Sequence, residues 1–246
     1  MFTSTVGRTN EGAIMAKGKK YLDATKRYDR DNLHSPREAM DLVKSLSTAS
    51  FDESVDVAMR LGVDPRKADQ IVRGTVALPA GTGKTVRVAV FATGDAATAA
   101  TEAGADFVGG EELVAEVEGG MLDFDLAIST PELMPKVGTL GRVLGPRGLM
   151  PNPKTGTVTA DTGKAVNDFK GGTVEYRTDR YGNIAVSIGK VSFEPEDLLR
   201  NFDTLLDEIN KARPASAKGR YILKLNASST MGPGIKIDPN RLRAAE

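Results

Sequence analysis

The middle of the chain alternates apolar strand-like segments with short helical segments, and this alternation limits the possible folds more than any other feature. Apolar segments at 85–92, 105–108 and 125–129 are separated by helix-like segments at 96–103 and 111–117. Strands that alternate with helices across short turns are typical of a parallel sheet with helices on its faces. The sequence therefore predicts an α/β module in the middle of the chain.

The segments on the N-terminal side of this module have a different character. Residues 51–59 alternate apolar and polar side chains and predict a strand, with Phe51, Val55 and Val57 on one face. Residues 70–78 predict a second strand. Strands outside the alternating module indicate a separate α+β part of the fold.

A helix start signal precedes the first of these strands. Residues 35–38, Ser-Pro-Arg-Glu, combine an N-cap serine, a proline at the first helical position and a capping-box glutamate, and they predict a helix to about Leu46. His34 lies just before this cap. We interpret it as a packing or surface residue rather than a general base, and no Ser/His/Asp catalytic arrangement is supported.

The antiparallel character returns after the module. Residues 174–178 and 184–188 flank a turn of five residues and predict a β-hairpin. Acidic residues at 194–197 open a predicted long helix to about Ala212, whose basic residues lie near its end, as the helix dipole favours. Residues 221–225 predict the last strand.

Glycine-rich breaks at 79–83 and 171–172 separate the module from its flanks. The sequence therefore predicts an α/β protein of two domains joined by a double-stranded hinge, with scope for hinged motion. The predicted boundaries are 1–14 for a disordered extension, 15–81 plus 173–246 for a split α+β domain, and 82–172 for an inserted Rossmann-like α/β domain.

Composition excludes several classes of function. The chain has no cysteine and one histidine, which excludes disulfides, thiolate nucleophiles and His-based zinc sites. No apolar run approaches the roughly 18 residues of a membrane span, and the N-terminal segment lacks the apolar core of a secretory signal. We therefore expect a cytoplasmic protein with no membrane partner. Met15 is a candidate functional start, because the residues before it are polar and aperiodic.

A formal net charge of zero hides an asymmetric distribution of charge. Residues 82–172 contain 8 basic and 12 acidic residues, net −4, and the rest of the chain contains 25 and 21, net +4. Basic clusters lie near both chain ends, at 17–30 and 211–236. Such clusters indicate a polyanionic partner, and an ordinary solvated basic surface is the alternative.

Three segments partly match motifs that carry chemistry or bind RNA. Residues 81–85, Gly-Thr-Gly-Lys-Thr, match the end of a P-loop, but Leu78 stands where the motif needs glycine and a strand rather than a helix follows. Asp123 and Asp125 alternate at a strand edge and are either Mg²⁺ ligands or turn residues. Residues 170–176 resemble an RNA-recognition strand but lack its stacking aromatics.

Two further segments are unusually rich in glycine. Residues 138–157 contain glycines and prolines that restrict the backbone and leave Arg142, Arg147 and Lys154 available for phosphates; the alternative is a rigid surface loop that packs its own Leu and Met side chains. Residues 228–234 combine hydroxyls with glycine N–H groups, which can approach a sugar–phosphate backbone; a plain turn is the alternative.

Together these segments resemble the L-one family of bacterial large-subunit ribosomal proteins. The resemblance covers nearly the whole chain from Met15. The matching segments are Ala-Lys-Gly-Lys-Lys-Tyr at 16–21, Phe-Asp-Glu-Ser-Val at 51–55, Asp-Gln-Ile-Val-Arg-Gly at 69–74, Gly-Ala-Asp-Phe-Val-Gly-Gly at 104–110, the segment 141–154, and Ser-Thr-Met-Gly-Pro at 229–233.

The resemblance implies a protein that binds the stalk region of 23S ribosomal RNA, chiefly through its split domain, which agrees with the predicted organisation. The family commonly has lysine at the position of Ser50, and this difference affects one phosphate contact. The implied RNA-binding residues are Phe51, Lys224, Ser229, Thr230, Met231 and Gly232.

The resemblance also implies two further RNA partners. The inserted domain would face the departing E-site transfer RNA, with Arg142, Arg147 and Lys154 as candidate RNA-facing residues. The ribosomal-RNA surface would also bind the protein's own messenger RNA and repress its translation. No catalytic residue, cofactor or metal is expected. A nucleotide-using enzyme, with its site at 83–84 or 141–154, and a protein–protein scaffold are the alternatives.

Overall fold

The computed structural model describes residues 18–242, so the predicted extension at 1–14 and the candidate start at Met15 lie outside the described residues. The described residues form several sheets and helices, which confirms the predicted α/β class. The helices are α1 (Lys19–Lys26), α2 (Pro36–Ser45), α3 (Asp95–Glu102), α4 (Glu111–Glu118), α5 (Met134–Val137), α6 (Gly141–Leu144), α7 (Thr162–Lys170) and α8 (Pro195–Lys211). The strands are β1 (Ser54–Leu61), β2 (Arg73–Ala77), β3 (Val88–Phe91), β4 (Phe107–Gly109), β5 (Leu126–Ser129), β6 (Thr173–Arg177), β7 (Asn183–Lys190), β8 (Ile222–Ser229) and β9 (Ile235–Ile237).

An antiparallel sheet of four strands, in the order β7-β1-β8-β9, forms the larger layer. Strand β1 is central in it and turns Val55, Val57 and Met59 into a core that α2 and α8 also line. The predicted strand was therefore correct for Val55 and Val57. It was wrong for Phe51, which lies in a bend before β1 with 55% of its surface exposed.

The helix start predicted at residues 35–38 is present in full. The Ser35 side chain accepts a hydrogen bond from the Glu38 N–H, and the Glu38 carboxylate accepts one from the Ser35 N–H, which together form the capping box of α2. The His34 N–H donates to the carbonyl of Lys236, and the His34 carbonyl accepts from the Asp238 N–H. His34 therefore packs beside β9, as predicted, and holds the start of α2 against the sheet.

A second sheet, of three parallel strands in the order β4-β3-β5, confirms the alternation in the middle of the chain. All four residues of β3 are buried. Val88 and Val90 belong to a cluster with residues of α3 and α7, whereas Ala89 and Phe91 belong to a cluster with α4. Helices therefore cover both faces of the parallel sheet, as the sequence predicted.

The sequence after β5, residues 135–156, is rich in glycine and proline and predicts a loop, and the structure corrects that prediction. The segment contains α5, α6 and two 3₁₀ turns, at Gly138–Leu140 and Pro153–Thr155. Leu140 and Leu144 are buried in the same cluster as Phe91. Burial of these leucines supplies the free energy that folds a segment whose glycines disfavour helix.

The predicted hairpin between residues 174–178 and 184–188 is also wrong. Strand β6 pairs with β2, and β7 pairs with β1, so the two segments belong to different sheets. A second correction concerns the end of the chain, where β8 is longer than predicted and β9 follows it as a further strand. For β6 and β7 the alternation identified the strands correctly but contained no information about their partners, and β9 was not predicted.

The pair β2–β6 forms a separate ribbon through which the chain leaves the antiparallel sheet and returns to it. Beyond the ribbon the two connections touch, since a Cβ built on Gly172 would lie 2.6 Å from the Gly81 Cα. Gly172 also has a positive φ of 109°, so two independent constraints require glycine there. The division into two domains at 81 and 172 stays a prediction. The β2–β6 ribbon lies where the hinge between those domains is predicted.

Asn201 on α8 is fully buried and holds one of these connections. Its Oδ1 accepts from the Ala80 N–H at 3.0 Å, and its Nδ2 donates to the carbonyls of Gly81 at 2.9 Å and Ile188 at 2.7 Å. One amide thus satisfies three backbone groups that the surrounding core shields from water. No helix among residues 18–242 is long and apolar enough to cross a membrane.

Replacing Asn201 with alanine should leave these backbone groups unpaired in the core. We expect the free energy of unfolding to fall by about 2–4 kcal/mol, measured by urea denaturation. Asn210→Ala is the matched control, because Asn210 lies exposed on the same helix and its replacement should change the unfolding free energy by less than about 0.5 kcal/mol. Equal stabilities of the two variants would contradict this account of Asn201.

Candidate nucleic-acid interface

Two exposed apolar side chains meet at one end of the antiparallel sheet. Phe51 lies in the bend before β1, and Met231 lies in the turn after β8; they are 55% and 60% exposed. Because β1 and β8 pair with Val55 opposite Ser229, the bend and the turn lie side by side. Both side chains line an open groove of about 490 Å³ that Lys20 of α1 also lines.

Thr230 connects the turn to the bend. Its hydroxyl oxygen accepts a hydrogen bond from the Ser54 N–H at 3.0 Å and lies 3.4 Å from the Ser54 carbonyl, to which it donates. The sequence predicted this hydroxyl as a contact for RNA. The structure gives it a role within the protein, because it binds the backbone of the neighbouring strand.

Gly232 and Ser229 pack against each other at the base of the same turn. The Gly232 N–H donates to the Ser229 carbonyl at 3.2 Å, and a Cβ at Gly232 would lie 2.3 Å from the Ser229 hydroxyl oxygen. Ser229 is 4% exposed. Ser229, one of the predicted RNA-binding residues, therefore lies beneath the surface. Glycine is required at position 232, because a larger side chain there would collide with the Ser229 hydroxyl.

Glu53 is the residue of this region that the sequence analysis missed. It is fully buried. Its Oε1 accepts from the Ser47 hydroxyl at 2.7 Å and from the N–H groups of Thr48 and Ala49 at 3.1 and 2.9 Å, and its Oε2 accepts from the Met231 N–H at 2.9 Å. The strand alternation contained the signal, since Glu53 shares the inward face of Val55.

These bonds set the protonation of Glu53. Burial by itself raises the pKa of this carboxyl, but the hydrogen bonds from the Met231 N–H, the Ser47 hydroxyl and the Ala49 N–H outweigh burial and lower the pKa to about 2. The carboxylate is therefore ionised at neutral pH. Glu53 forms no ion pair with any residue in the described range 18–242, and its buried charge is stable because four donors replace its water shell.

Asp52 holds the other side of the bend. Its carboxylate accepts from the Ser192 N–H at 3.1 Å and from the Ser192 hydroxyl at 2.8 Å, while the Lys190 ammonium donates to the Asp52 carbonyl at 3.2 Å. The bend that carries Phe51 is thus bonded to the turn after β8 through Glu53 and to the end of β7 through Asp52. Phe51 is presented by a segment that is fixed from two sides.

Lys224 is exposed on β8, where Arg60 of β1 lies opposite to it. Neither side chain forms an ion pair with any residue between 18 and 242. These two cations on neighbouring strands form a basic region on the face of the sheet opposite α2 and α8, a face that Asp56 of β1 shares. That region lies on the same sheet as the Phe51–Met231 groove.

Of the three cations predicted in the middle of the chain, Arg142 and Arg147 do not line this groove. Arg142 lies on α6 and Arg147 in the turn that follows it, and both are exposed. The Lys154 backbone belongs to a 3₁₀ turn, and its side chain lies outside the described part of the molecule. They form, at most, a second site.

The partial motifs for phosphate and metal binding do not form sites. The chain after Gly83 extends into β3 rather than opening a helix, and a Cβ at Gly83 would lie 2.9 Å from the Phe193 ring. Asp125 accepts from the N–H and the side chain of Arg87 at 3.1 and 3.3 Å, so it is a paired carboxylate. No group of three or more potential metal ligands occurs among residues 18–242.

The low pKa of Glu53 predicts a specific loss of stability in acid. A carboxyl with a pKa of about 2 in the folded protein and 4.5 in the unfolded chain stabilises the fold fully above pH 4.5, and the contribution disappears as the pH falls toward 2. It amounts to about 3 kcal/mol, of which about 2 kcal/mol should be lost by pH 3.

Urea denaturation of the wild type and of Glu53→Gln between pH 3 and 6 measures this contribution. The difference between their unfolding free energies should narrow as the pH falls, because glutamine does not titrate. Glu132→Gln, which makes the same substitution at an exposed acid in the connection after β5, is the control for the substitution itself. A wild-type advantage over Glu53→Gln that stays constant with pH would show that Glu53 is not held as a carboxylate.

Comparison with known proteins identifies the family of this chain. Residues 43–233 match the sequence profile of the Ribosomal protein L1p/L10e family. The large ribosomal subunit protein uL1 of Cutibacterium acnes is 61% identical over 232 residues, which cover 94% of this chain and 100% of that protein. The uL1 proteins of Streptomyces coelicolor and of a Nocardioides species are 61% and 59% identical, each over 93% of this chain and 95% of the relative.

The matched range includes the bend at Phe51, the buried Glu53 and the turn at Met231, as well as the whole parallel sheet. The profile match covers most of the chain, including both sheets, and the relatives are more than half identical to the chain in sequence. The chain therefore belongs to the ribosomal protein L1p/L10e family, and it is a ribosomal protein rather than an enzyme.

Proposed function

We propose that this protein is a cytoplasmic RNA-binding component of the large ribosomal subunit and that it binds the stalk region of 23S ribosomal RNA. The observation that carries the proposal is the pair Phe51 and Met231, exposed side by side on backbone segments that hydrogen bonds fix. The relatives carry the name large ribosomal subunit protein, which supports the same conclusion.

The chemistry of the surface suits RNA backbone better than unpaired bases. Phe51 and Met231 offer apolar contact to ribose faces, and the exposed backbone around Gly232 lets a sugar–phosphate chain approach closely. Lys224 and Arg60 supply positive charge along the open face of the sheet. With few aromatic residues in the chain, recognition rests on shape, phosphates and 2′-hydroxyls rather than on stacking.

The proposal includes two domains, 15–81 with 173–246 and the insertion 82–172, joined at the β2–β6 ribbon. The buried residues of the antiparallel sheet and of the parallel sheet form separate hydrophobic clusters, which supports this division. The two contacting glycines beyond the ribbon, Gly81 and Gly172, are suited to the pivot of a double-stranded hinge.

Two finer functions belong to the proposal. The insertion assists movement and release of E-site transfer RNA through Arg142, Arg147 and Lys154; the exposure of both arginines supports this.

The Phe51–Met231 surface also binds the protein's own messenger RNA and represses translation, since one preformed surface accepts any RNA with the same backbone shape. Competition between the stalk fragment and the messenger leader for one equivalent of protein tests the second function; simultaneous binding of both would refute it.

A gel-shift titration at physiological salt tests the central claim, with a short stalk fragment and an unrelated hairpin as probes. Met231→Asp should weaken binding to the stalk fragment by about 2 kcal/mol or more, because it exchanges apolar contact for charge repulsion at the centre of the surface. Thr98→Asp is the control, since it adds the same charge at an exposed position on α3, which packs on the parallel sheet. Equal weak binding of both probes by the wild type would reject ribosomal-RNA recognition.

Salt dependence separates the cationic part of the surface from the apolar part. Lys224→Met should reduce the slope of log Kd against log salt by about 1 if Lys224 neutralises one phosphate. Lys164→Met, at an exposed lysine on α7, should leave the slope unchanged. Filter-binding titrations from roughly 50 to 300 mM salt, the range over which phosphate contacts weaken, measure the slope. An unchanged slope for Lys224→Met would remove Lys224 from the interface.

A further inference from the structure

We propose that Glu53 is the positioning residue of the RNA surface: its buried carboxylate holds the Phe51 bend and the Met231 turn in one fixed arrangement without itself touching RNA. The inference rests on the proposed function, because it assigns a role within that surface. It adds a residue beneath the surface to the exposed residues that would contact RNA.

The two carboxylate oxygens of Glu53 serve two different segments of the chain. Oε1 receives the hydroxyl of Ser47 and the N–H groups of Thr48 and Ala49, all in the connection between α2 and β1. Oε2 receives the Met231 N–H from the turn between β8 and β9. The connection and the turn are about 180 residues apart in sequence, so this group joins parts of the chain that no local structure joins.

Glu53 has no direct route to RNA. It is fully buried, and its oxygens already accept four hydrogen bonds. A carboxylate would also repel phosphate at close range. Any effect of Glu53 on RNA binding must therefore pass through the segments that it holds, which carry Phe51 and Met231.

The arrangement requires a carboxylate rather than a side chain of similar shape. All four partners are donors, so both oxygens must accept. Glutamine keeps one acceptor and turns an amide N–H₂ toward donors of the protein. Aspartate is shorter by one methylene and cannot reach both the Ala49 N–H and the Met231 N–H at hydrogen-bond distance.

The consequence for binding is a reduced ordering cost. Neither the bend nor the turn has regular secondary structure at Phe51 or Met231. Without Glu53 the bend would keep its bonds through Asp52 and the turn its bond through Thr230, but the link between bend and turn through Glu53 would have to be replaced by ordering on the RNA. A surface that is ordered before binding avoids that entropy loss at the moment of association. Glu53 therefore contributes affinity without contributing contact area.

The test measures Kd for the stalk fragment and the unrelated hairpin with the full-length wild type, Glu53→Gln and Asp106→Asn. We expect Glu53→Gln to bind the stalk fragment about tenfold or more weakly. Asp106→Asn is the matched control, since Asp106 accepts the Val88 N–H at 2.9 Å and the Lys170 ammonium at 3.0 Å but lies in the parallel sheet. Its affinity should stay within about twofold of the wild type.

A double-mutant cycle distinguishes positioning from general destabilisation. In the background Phe51→Ala/Met231→Ala, the side chains that Glu53 positions are absent, so adding Glu53→Gln should change Kd by less than about twofold. The salt slope of Glu53→Gln should equal that of the wild type, because no phosphate contact is removed. If Glu53→Gln does not fold, Ser47→Ala replaces it, and a smaller loss that vanishes in the same background is the expected result.

The outcomes separate the two proposals. A wild type that does not discriminate the stalk fragment from the hairpin overturns the proposed function, and the positioning role falls with it. A discriminating wild type with Glu53→Gln of equal affinity overturns the positioning role alone. A loss that persists in full in the Phe51→Ala/Met231→Ala background also overturns it, because Glu53 would then act through some other part of the protein.

Discussion

The central place of β1 in the antiparallel sheet determines how the rest of the chain is arranged. Both neighbours of β1, β7 and β8, come from the far side of the parallel sheet in sequence. The antiparallel core cannot form until some 120 residues after β1 have been brought back, so its folding depends on non-local pairing. The middle of the chain must leave and return at neighbouring points, which is what the β2–β6 ribbon accomplishes.

The same pairing generates the candidate interface. Once β1 lies beside β8, the Phe51 bend before β1 and the Met231 turn after β8 are adjacent. Only the local conformations of these two segments are then left to be determined. Glu53 and Thr230 remove that freedom by bonding backbone groups across the gap. The interface is therefore an extension of the sheet's hydrogen bonding into two loops, with apolar side chains on its outer surface and a charge enclosed beneath them.

Periodicity predicted strands β1 to β8 and helices α3, α4 and α7, and the capping residues predicted α2, because each of these depends on nearby residues alone. It failed where a partner had to be chosen: β6 joined β2 rather than β7, and Gly138–Leu144 folded because buried leucines outweighed glycine. Phe51, Met231 and Gly232 were found through the family resemblance. The sequence analysis did not identify Glu53, because an acidic residue in a strand pattern is predicted to be exposed. The hydrogen-bond donors that permit its burial lie in other segments of the chain.

The contact between Gly81 and Gly172 has a consequence for the history and engineering of the chain. The point where the chain departs from the antiparallel part and the point where it returns touch, so the parallel sheet occupies the position of an insert within a single surface turn. If the predicted insert is a domain of its own, removing or exchanging it requires no rerouting of the strands on either side, because a very short link closes the gap between Gly81 and Gly172. Architectures with coincident junctions of this kind can acquire, lose or lengthen a whole module while the host sheet keeps its register.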